Sequence, residues 1–216
     1  MALPTEAGLR LGRWQVDLIS AGTFALDGGA MFGIVPKPLW EKKIPADDKN
    51  RIPLDTRCVL LRDGSHVVLI DCGMGSQWSA KERDIYRIDA HLDTSLAAVG
   101  VTPSDVTDLV LTHLHFDHAG DTARLDAAGT PTLTFPNARV HVGRRAWQHG
   151  HAPNERDRGS FRTPCWAPLD AAERGRVVLV DDQDGRASLL PELEALVCEG
   201  HTTGQLLPLI GAKYQR

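Results

Sequence analysis

Short apolar runs and stretches of alternating residues divide the chain into predicted β-strands. Residues 14–20 alternate between apolar and polar side chains, which is typical of a half-buried strand. Two β-rich runs, 57–61 and 66–70, flank the pair Asp63-Gly64, which is a strong hairpin signal. Further strands are predicted at the apolar runs 106–111, 139–142, 177–180, 193–198 and 206–210, the last of them weakened by Pro208.

Helical spacing is found in two short segments, and two long segments lack a regular period. Residues 89–99 place apolar side chains at helical intervals before Gly100, and residues 144–149 predict a second helix. Residues 21–55 are rich in Gly and Pro but carry several large apolar side chains, so this predicted loop either packs on the core or forms one wall of a pocket. Residues 150–170 are polar and predict a surface excursion. Strands that alternate with helices and hairpins predict a mixed α/β layered domain.

Composition and charge narrow the class of protein. The 216 residues are 42% hydrophobic and 24% charged, which suits one soluble domain over residues 1–216. The net charge of −4 leaves no basic surface for nucleic acid or an anionic membrane. No apolar run approaches the roughly 20 residues that a membrane span requires. We therefore expect neither nucleic acid nor membrane as a partner.

The cysteines and the N-terminus bear on the cellular compartment. Residues 1–6 lack the charged start and apolar core of a secretory signal. The chain has four scattered cysteines and no Cys-x-x-Cys pair: Cys58, Cys72, Cys165 and Cys198. Free thiols in a reducing cytoplasm are expected, and a secreted form that lacks its signal is the alternative. The sequence leaves the oligomeric state open, with a homodimer as one candidate.

The strongest chemical signal is a cluster of potential metal ligands directly after the predicted strand 106–111. His113, His115, Asp117 and His118 lie within six positions. Imidazole and carboxylate groups at this density are suitable ligands for zinc and similar ions. A rigid strand end would hold such ligands in place, so the cluster predicts a metal site rather than a crowded surface turn.

Two distant residues complete the prediction. His201 follows the apolar run 193–198 between two glycines, and we expect the two strands to lie side by side and to bring His201 to the cluster. Asp71 follows the run 66–70 and precedes a glycine, so its carboxylate is predicted to support the ligands from behind. The other histidines are expected to be solvated or satisfied by hydrogen bonds: His66, His91, His141, His149 and His151.

At these residues the chain resembles a known family. The segment His-Leu-His-Phe-Asp-His-Ala-Gly resembles the signature of the metallo-β-lactamase-fold hydrolases, and Leu-Ile-Asp-Cys-Gly and Gly-His-Thr-Thr-Gly resemble two further motifs. Phe-Asp-His-Ala-Gly-Asp, Phe-Pro-Asn-Ala and Asn154-Glu155-Arg156 are most similar to the N-acyl homoserine lactonase branch. The resemblance covers about residues 14 to 210. It implies a four-layer αββα sandwich with metals at the edges of the sheets.

The resemblance also implies ligand sets and a reaction. His113, His115 and His201 would hold a first zinc, and Asp117 and His118 would contribute to a second. Zinc lowers the pKa of bound water to about 7, so that hydroxide is available to attack a carbonyl carbon, with Asp117 holding its proton. The expected substrate is a small molecule with a lactone, ester or similar acyl bond. A related redox branch has a glutamate at the position of His115, so this histidine favours hydrolysis.

One part of the family pattern is missing. The family has a metal-bridging carboxylate and a last histidine downstream of His201, but residues 202–216 contain no Asp, Glu or His. We therefore expect a C-terminally truncated member that lacks the last strands and helices, binds one or two zinc ions and has low or no activity. Two alternatives are an impaired remnant that binds at most one metal, and a thioester or phosphotriester hydrolase of the same fold.

Overall fold

The computed structural model of the chain describes residues 8–172 and 175–211. Its strands are β1 (Leu9–Leu11), β2 (Trp14–Asp27), β3 (Arg51–Arg62), β4 (Val67–Ile70), β5 (Asp89–Ala90), β6 (Asp108–Leu111), β7 (Ala123–Leu125), β8 (Pro131–Leu133), β9 (Arg139–Gly143), β10 (Val177–Val180), β11 (Arg186–Leu190), β12 (Leu193–Cys198) and β13 (Gln205–Ile210). Its α-helices are α1 (Gly28–Phe32), α2 (Lys37–Trp40), α3 (Ala80–Tyr86), α4 (Leu92–Ala98), α5 (Phe116–Ala119) and α6 (Arg144–His151). Among these residues, none of the helices combines the length and the apolar character needed to cross a bilayer.

A large mixed sheet forms the centre of the fold. Its strands follow the order β1-β2-β3-β4-β6-β9-β10, and β5 pairs with β2. β1 to β4 are joined as antiparallel neighbours, whereas β4, β6, β9 and β10 are parallel. The carboxyl ends of β4, β6 and β9 therefore lie at the same edge of the sheet.

Both faces of this sheet are covered, as neighbouring residues on its strands show. Leu60, Leu69 and Leu109 belong to a core with Leu92 and Leu96 of α4. The adjacent residues Leu61, Val68 and Val110 pack instead with Leu190 and Leu193 of a second sheet, β11-β12-β13. Successive side chains of a strand point to opposite faces, so a strand that is buried on both faces is apolar throughout. The predicted mixed α/β layered class is thereby confirmed.

The prediction of a long loop over residues 21–55 is wrong at both ends. β2 continues to Asp27 and pairs with β3 from Arg51 onward, with an irregularity between Ser20 and Gly22. Pairing with a partner strand satisfies the backbone there, which the Gly and Pro content conceals. Only 28–50 connect the two strands, and this connection contains α1 and α2.

Other element boundaries also differ from the sequence prediction. The helix predicted from residue 89 begins at Leu92, because Asp89 and Ala90 pair with β2 as β5. α3 was not predicted, although Ser79 and Glu82 form the reciprocal capping box that marks its start. β11 was also missed. The four cysteines are free, as expected.

Candidate metal centre

The candidate site lies where the parallel strands β4 and β6 end. Asp71 follows β4 with φ 58°, a left-handed conformation that Asp tolerates better than most residues. Its backbone N–H donates to Val110 O at 2.9 Å, and its carboxylate accepts a hydrogen bond from Thr112 N at 2.8 Å. The carboxylate thus joins two strand ends directly beneath the histidine cluster.

Three of the predicted ligands converge. Ring nitrogens of His113, His115 and His201 all lie within 4.8 Å of one another. Nε2 of His113 is 3.3 Å from Nε2 of His201. His113 and His115 are buried, whereas His201 is exposed. In the part of the chain that the structure describes, no other set of three His, Cys, Asp or Glu side chains converges this closely.

His201 reaches the cluster by a different route from the predicted one. β6 and β12 do not lie side by side, because β12 belongs to the second sheet. The connection between the sheets is made instead at the start of β13, where Leu206 N donates to Thr112 O at 2.9 Å. The large sheet therefore supplies the candidate ligands His113 and His115, and the three-stranded sheet supplies His201. The prediction that the two strands lie side by side is wrong.

Hydrogen bonds behind His113 select its tautomer. The Thr112 hydroxyl contacts Asp71 at 2.9 and 3.0 Å and His113 Nδ1 at 2.9 Å. An ionised carboxylate can only accept, so the hydroxyl donates to Asp71 and must accept from the Nδ1–H of His113. This arrangement leaves Nε2 of His113 unprotonated and directed at His201, as a metal ligand requires.

Asp117 and His118 lie next to this group, at the start of α5. His118 Nδ1 donates to Asp71 Oδ2 at 2.8 Å, which directs its Nε2 to Asp117 Oδ2 at 3.5 Å. The ring centroids of His113 and His118 are 4.2 Å apart. Asp71 therefore contacts His118 directly and His113 through Thr112.

Electrostatics keeps two of the candidate ligands neutral. Burial, reinforced by the neighbouring imidazoles, holds the pKa of His113 far below its usual value. Burial and the nearby His201 lower the pKa of His115 to about 4. For His118 burial opposes protonation, but the hydrogen bond and charge of Asp71 outweigh it and raise its pKa. His113 and His115 are thus present as neutral imidazoles near neutral pH, the form that binds metal.

The residues present fit a zinc-type ion. Nε2 of His115 is buried and has no hydrogen-bond partner among the described residues, which is costly unless another ligand uses its lone pair. Two nitrogens on a tetrahedral zinc, each at about 2.0–2.1 Å, are separated by about 3.3–3.4 Å. The observed 3.3 Å between His113 and His201 matches this spacing.

Sequence reasoning missed the contribution of residues 150–170. His149, expected to be solvated or satisfied by hydrogen bonds, donates through Nε2 to the buried Asp157 at 2.9 Å. Burial opposes ionisation of Asp157, yet the hydrogen bond from His149 outweighs it, so the pKa of Asp157 is lowered. Phe161 forms an isolated β-bridge with His115 and stacks edge-on against its ring. No local periodicity marks these residues, because their partners are distant in sequence.

The connection between β2 and β3 both packs on the core and lines a pocket, so each of the two expectations holds in part. Trp40 is buried and stacks on Phe32, with ring centroids 4.9 Å apart. Met31 is half exposed and lines an apolar pocket of about 420 Å³ with Tyr86. The ring of Tyr86 is 6.0 Å from that of Phe116, which directly precedes Asp117.

Comparisons with known proteins agree with this geometry. The model of the metallo-beta-lactamase superfamily matches residues 51–213. The chain is similar to the crystal structure of a probable metal-dependent hydrolase from Staphylococcus aureus, with a TM-score of 0.79 and 28% identity over 94% of this chain and 71% of that one. AidC, a dizinc quorum-quenching lactonase, gives a TM-score of 0.72 and 19% identity over 97% of this chain and 72% of AidC, a likeness that shows the fold alone. The probable metallo-hydrolase Mb2322c of Mycobacterium bovis is 30% identical over 64% of this chain and 47% of that protein.

The chain therefore belongs to the metallo-beta-lactamase superfamily, and the resemblance in its motifs is confirmed. It spans less than half the length of the curated relatives it matches, from 13% to 47%. The structural neighbours include N-acyl homoserine lactonases with about one-fifth sequence identity, among them one with a product bound at its catalytic metal centre.

Proposed function

We propose that this chain is a metal-dependent hydrolase that uses zinc to activate water for attack on a lactone, ester or similar acyl bond. The main support is the convergence of His113, His115 and His201, with a buried and unpartnered His115 nitrogen, at the end of a rigid strand. The metallo-hydrolases among its relatives support the reaction class.

Each residue of the site has a distinct role in this proposal. His113, His115 and His201 would hold the ion, and Asp117 would orient the attacking water and accept its proton. Zinc bound there would supply a Lewis acid and lower the pKa of bound water to about 7. His118, fixed by Asp71, would offer its Nε2 beside Asp117 to a second ion.

We propose that the first position binds zinc more tightly than the second. Three imidazole nitrogens converge at the first, whereas Asp117 and His118 alone are placed to form the second. Two protein ligands hold an ion less firmly than three. One tightly bound zinc per chain is therefore expected, with a second that is weak.

A single domain over residues 1–216 and a cytoplasmic location stay predictions.

The apolar pocket favours a substrate with an apolar acyl group. Met31, Leu26 and Tyr86 line it, and the ring of Tyr86 packs 6.0 Å from that of Phe116, the residue before Asp117. Burial of apolar substrate surface stabilises a complex by about 25 cal/mol per Å², or roughly 0.8 kcal/mol for each CH₂. A homologous series of acyl lactones should therefore show falling KM as the chain lengthens.

The experiment is a substrate panel on purified, zinc-loaded protein. Lactones, linear esters, thioesters and phosphotriesters are compared in wild type and in His113→Ala, with His151→Ala as the control. His151 is another histidine, but it lies on α6 and its Nε2 contacts Asp170 at 2.9 Å. Turnover of lactone or ester that is lost only in His113→Ala supports the proposal. A preference for thioesters or phosphotriesters contradicts the substrate class, and no turnover of any substrate contradicts the function.

A further inference from the structure

His201 differs from the other two candidate ligands in how it is held. His113 and His115 are buried at the end of β6, whereas His201 is exposed on the connection between β12 and β13. Glycines flank this connection with φ of 129° at Gly200 and 68° at Gly204. A ligand on such a connection must be held in place by contacts from outside it, because glycine leaves the backbone free.

Those contacts come from residues 150–170 and α6. Thr202 is 2% exposed, and its hydroxyl donates to Asp157 Oδ2 at 3.3 Å. Asp157 is itself buried, and it also accepts a hydrogen bond from His149 Nε2 at 2.9 Å. Arg156 adds a long contact, in which Nη2 donates to His201 O at 3.5 Å. The carbonyl of His201 and the side chain of Thr202, the next residue, are thus held by Arg156 and the buried Asp157.

We propose that Asp157 is a positioning residue that holds His201 in ligating geometry through Thr202, with His149 fixing the carboxylate. The inference rests on the proposed function, because it takes His201 as a metal ligand. Asp157 makes no hydrogen bond to the rings of His113, His115 or His201. It therefore acts on metal binding by ordering the connection between β12 and β13 before the ion arrives.

The expected loss of zinc affinity is moderate because Asp157 acts on His201 only through Thr202. Loss of a residue that orients a metal ligand typically costs about 10–100-fold in metal affinity. Asp157 acts one residue away from His201, so we expect about 10-fold weaker zinc binding in Asp157→Ala. Thr202→Val removes the same hydrogen bond from the other side and should weaken zinc to a similar degree. The double variant should then lose less than the product of the two single losses, since both remove one interaction.

The test measures zinc affinity of the full chain by competition with a chromophoric chelator, and the visible spectrum after substitution with Co²⁺. Asp157→Asn separates position from charge, because its Oδ1 can still accept from Thr202 and its amide can donate to the other tautomer of His149. Asp170→Ala is the matched control. Asp170 accepts a hydrogen bond of the same length, 2.9 Å, from Nε2 of His151, which lies on α6 as His149 does. Asp108→Asn controls for lost stability, because Asp108 pairs with the buried His141 at the opposite end of β6.

The proposal predicts about 10-fold weaker zinc binding and an altered Co²⁺ spectrum in Asp157→Ala and Thr202→Val, with affinity restored to near wild type in Asp157→Asn. Asp170→Ala and Asp108→Asn should bind zinc as wild type does. Unchanged zinc affinity in Thr202→Val overturns the proposal even if Asp157→Ala fails to fold, and an equal loss in Asp157→Asn shows that charge and not position is involved. A wild type that binds no zinc contradicts the proposed function instead, so the two failures are distinguishable.

Discussion

Replacement of Asp71 by Asn probes how one carboxylate prepares two ligands. Oδ1 accepts from Thr112 N at 2.8 Å, so the amide oxygen must occupy this place. The amide nitrogen then replaces Oδ2 and faces the Nδ1–H of His118, formerly 2.8 Å from an acceptor. Two donors cannot share a hydrogen bond, so we expect the proton of His118 to move from Nδ1 to Nε2. The lone pair that would bind metal then points away from Asp117.

The magnitude follows from the bonds that change. The hydrogen bond from the imidazole to a charged carboxylate, worth about 1.5–3 kcal/mol of unfolding free energy, is replaced by a weaker one from the neutral amide. Loss of an orienting residue lowers metal affinity by about 10–100-fold. His113 should be spared, because the Thr112 hydroxyl can still donate to the amide oxygen, which lies 3.0 Å away as Oδ1 in the wild type. Asp71→Asn should therefore weaken the second metal position much more than the first.

Imidazole ¹⁵N shifts measure this directly in the metal-free protein, at a pH where the rings are neutral. The wild type should show His113 and His118 both protonated on Nδ1. The variant should show His118 protonated on Nε2 and His113 unchanged, which makes His113 an internal control. An unchanged His118 tautomer in Asp71→Asn, or unaltered zinc binding at the second position, would refute this role of Asp71.

Three further predictions concern the scaffold. Gly120→Ala should destabilise the fold by about 3 kcal/mol or more in urea unfolding, because a Cβ would lie 2.2 Å from Met74 O. Gly159→Ala is the control and should change the unfolding free energy little, because the space around Gly159 is open. Burial raises the pKa of Asp121 to about 6. The unfolding free energy of the wild type should therefore fall relative to that of Asp121→Asn as pH rises from about 4 to 6, and parallel pH profiles of the two proteins would contradict this. Arg162→Met should loosen residues 150–170 in hydrogen exchange, because Arg162 binds Glu82 at 2.6 Å and lies 3.9 Å over Trp78; unchanged protection contradicts it.

The part of the site that could be predicted from the sequence is the part encoded locally. His113, His115, Asp117 and His118 follow one apolar run, and the rigid end of β6 presents them together. Asp71 was predictable for the same reason, as a carboxylate at the end of a parallel strand.

Features that depend on long-range pairing could not be predicted in the same way. β2 extends to Asp27 because β3 pairs with it, and the Gly and Pro content of this region suggested a loop instead. The contact between His201 and His113 was expected, but the route through the second sheet was not. Asp157 and His149 carry no local signal, since burial of this pair depends on how residues 150–170 fold back on α6.

The central claim is that one zinc ion is held by His113, His115 and His201. Crystals of the full chain grown with zinc, measured above and below the zinc absorption edge, locate the ion by its anomalous scattering. We predict a strong peak among these three rings in the wild type and its loss in His201→Ala. A zinc ion bound elsewhere, or a wild-type site that stays without a peak at saturating zinc, would contradict the claim.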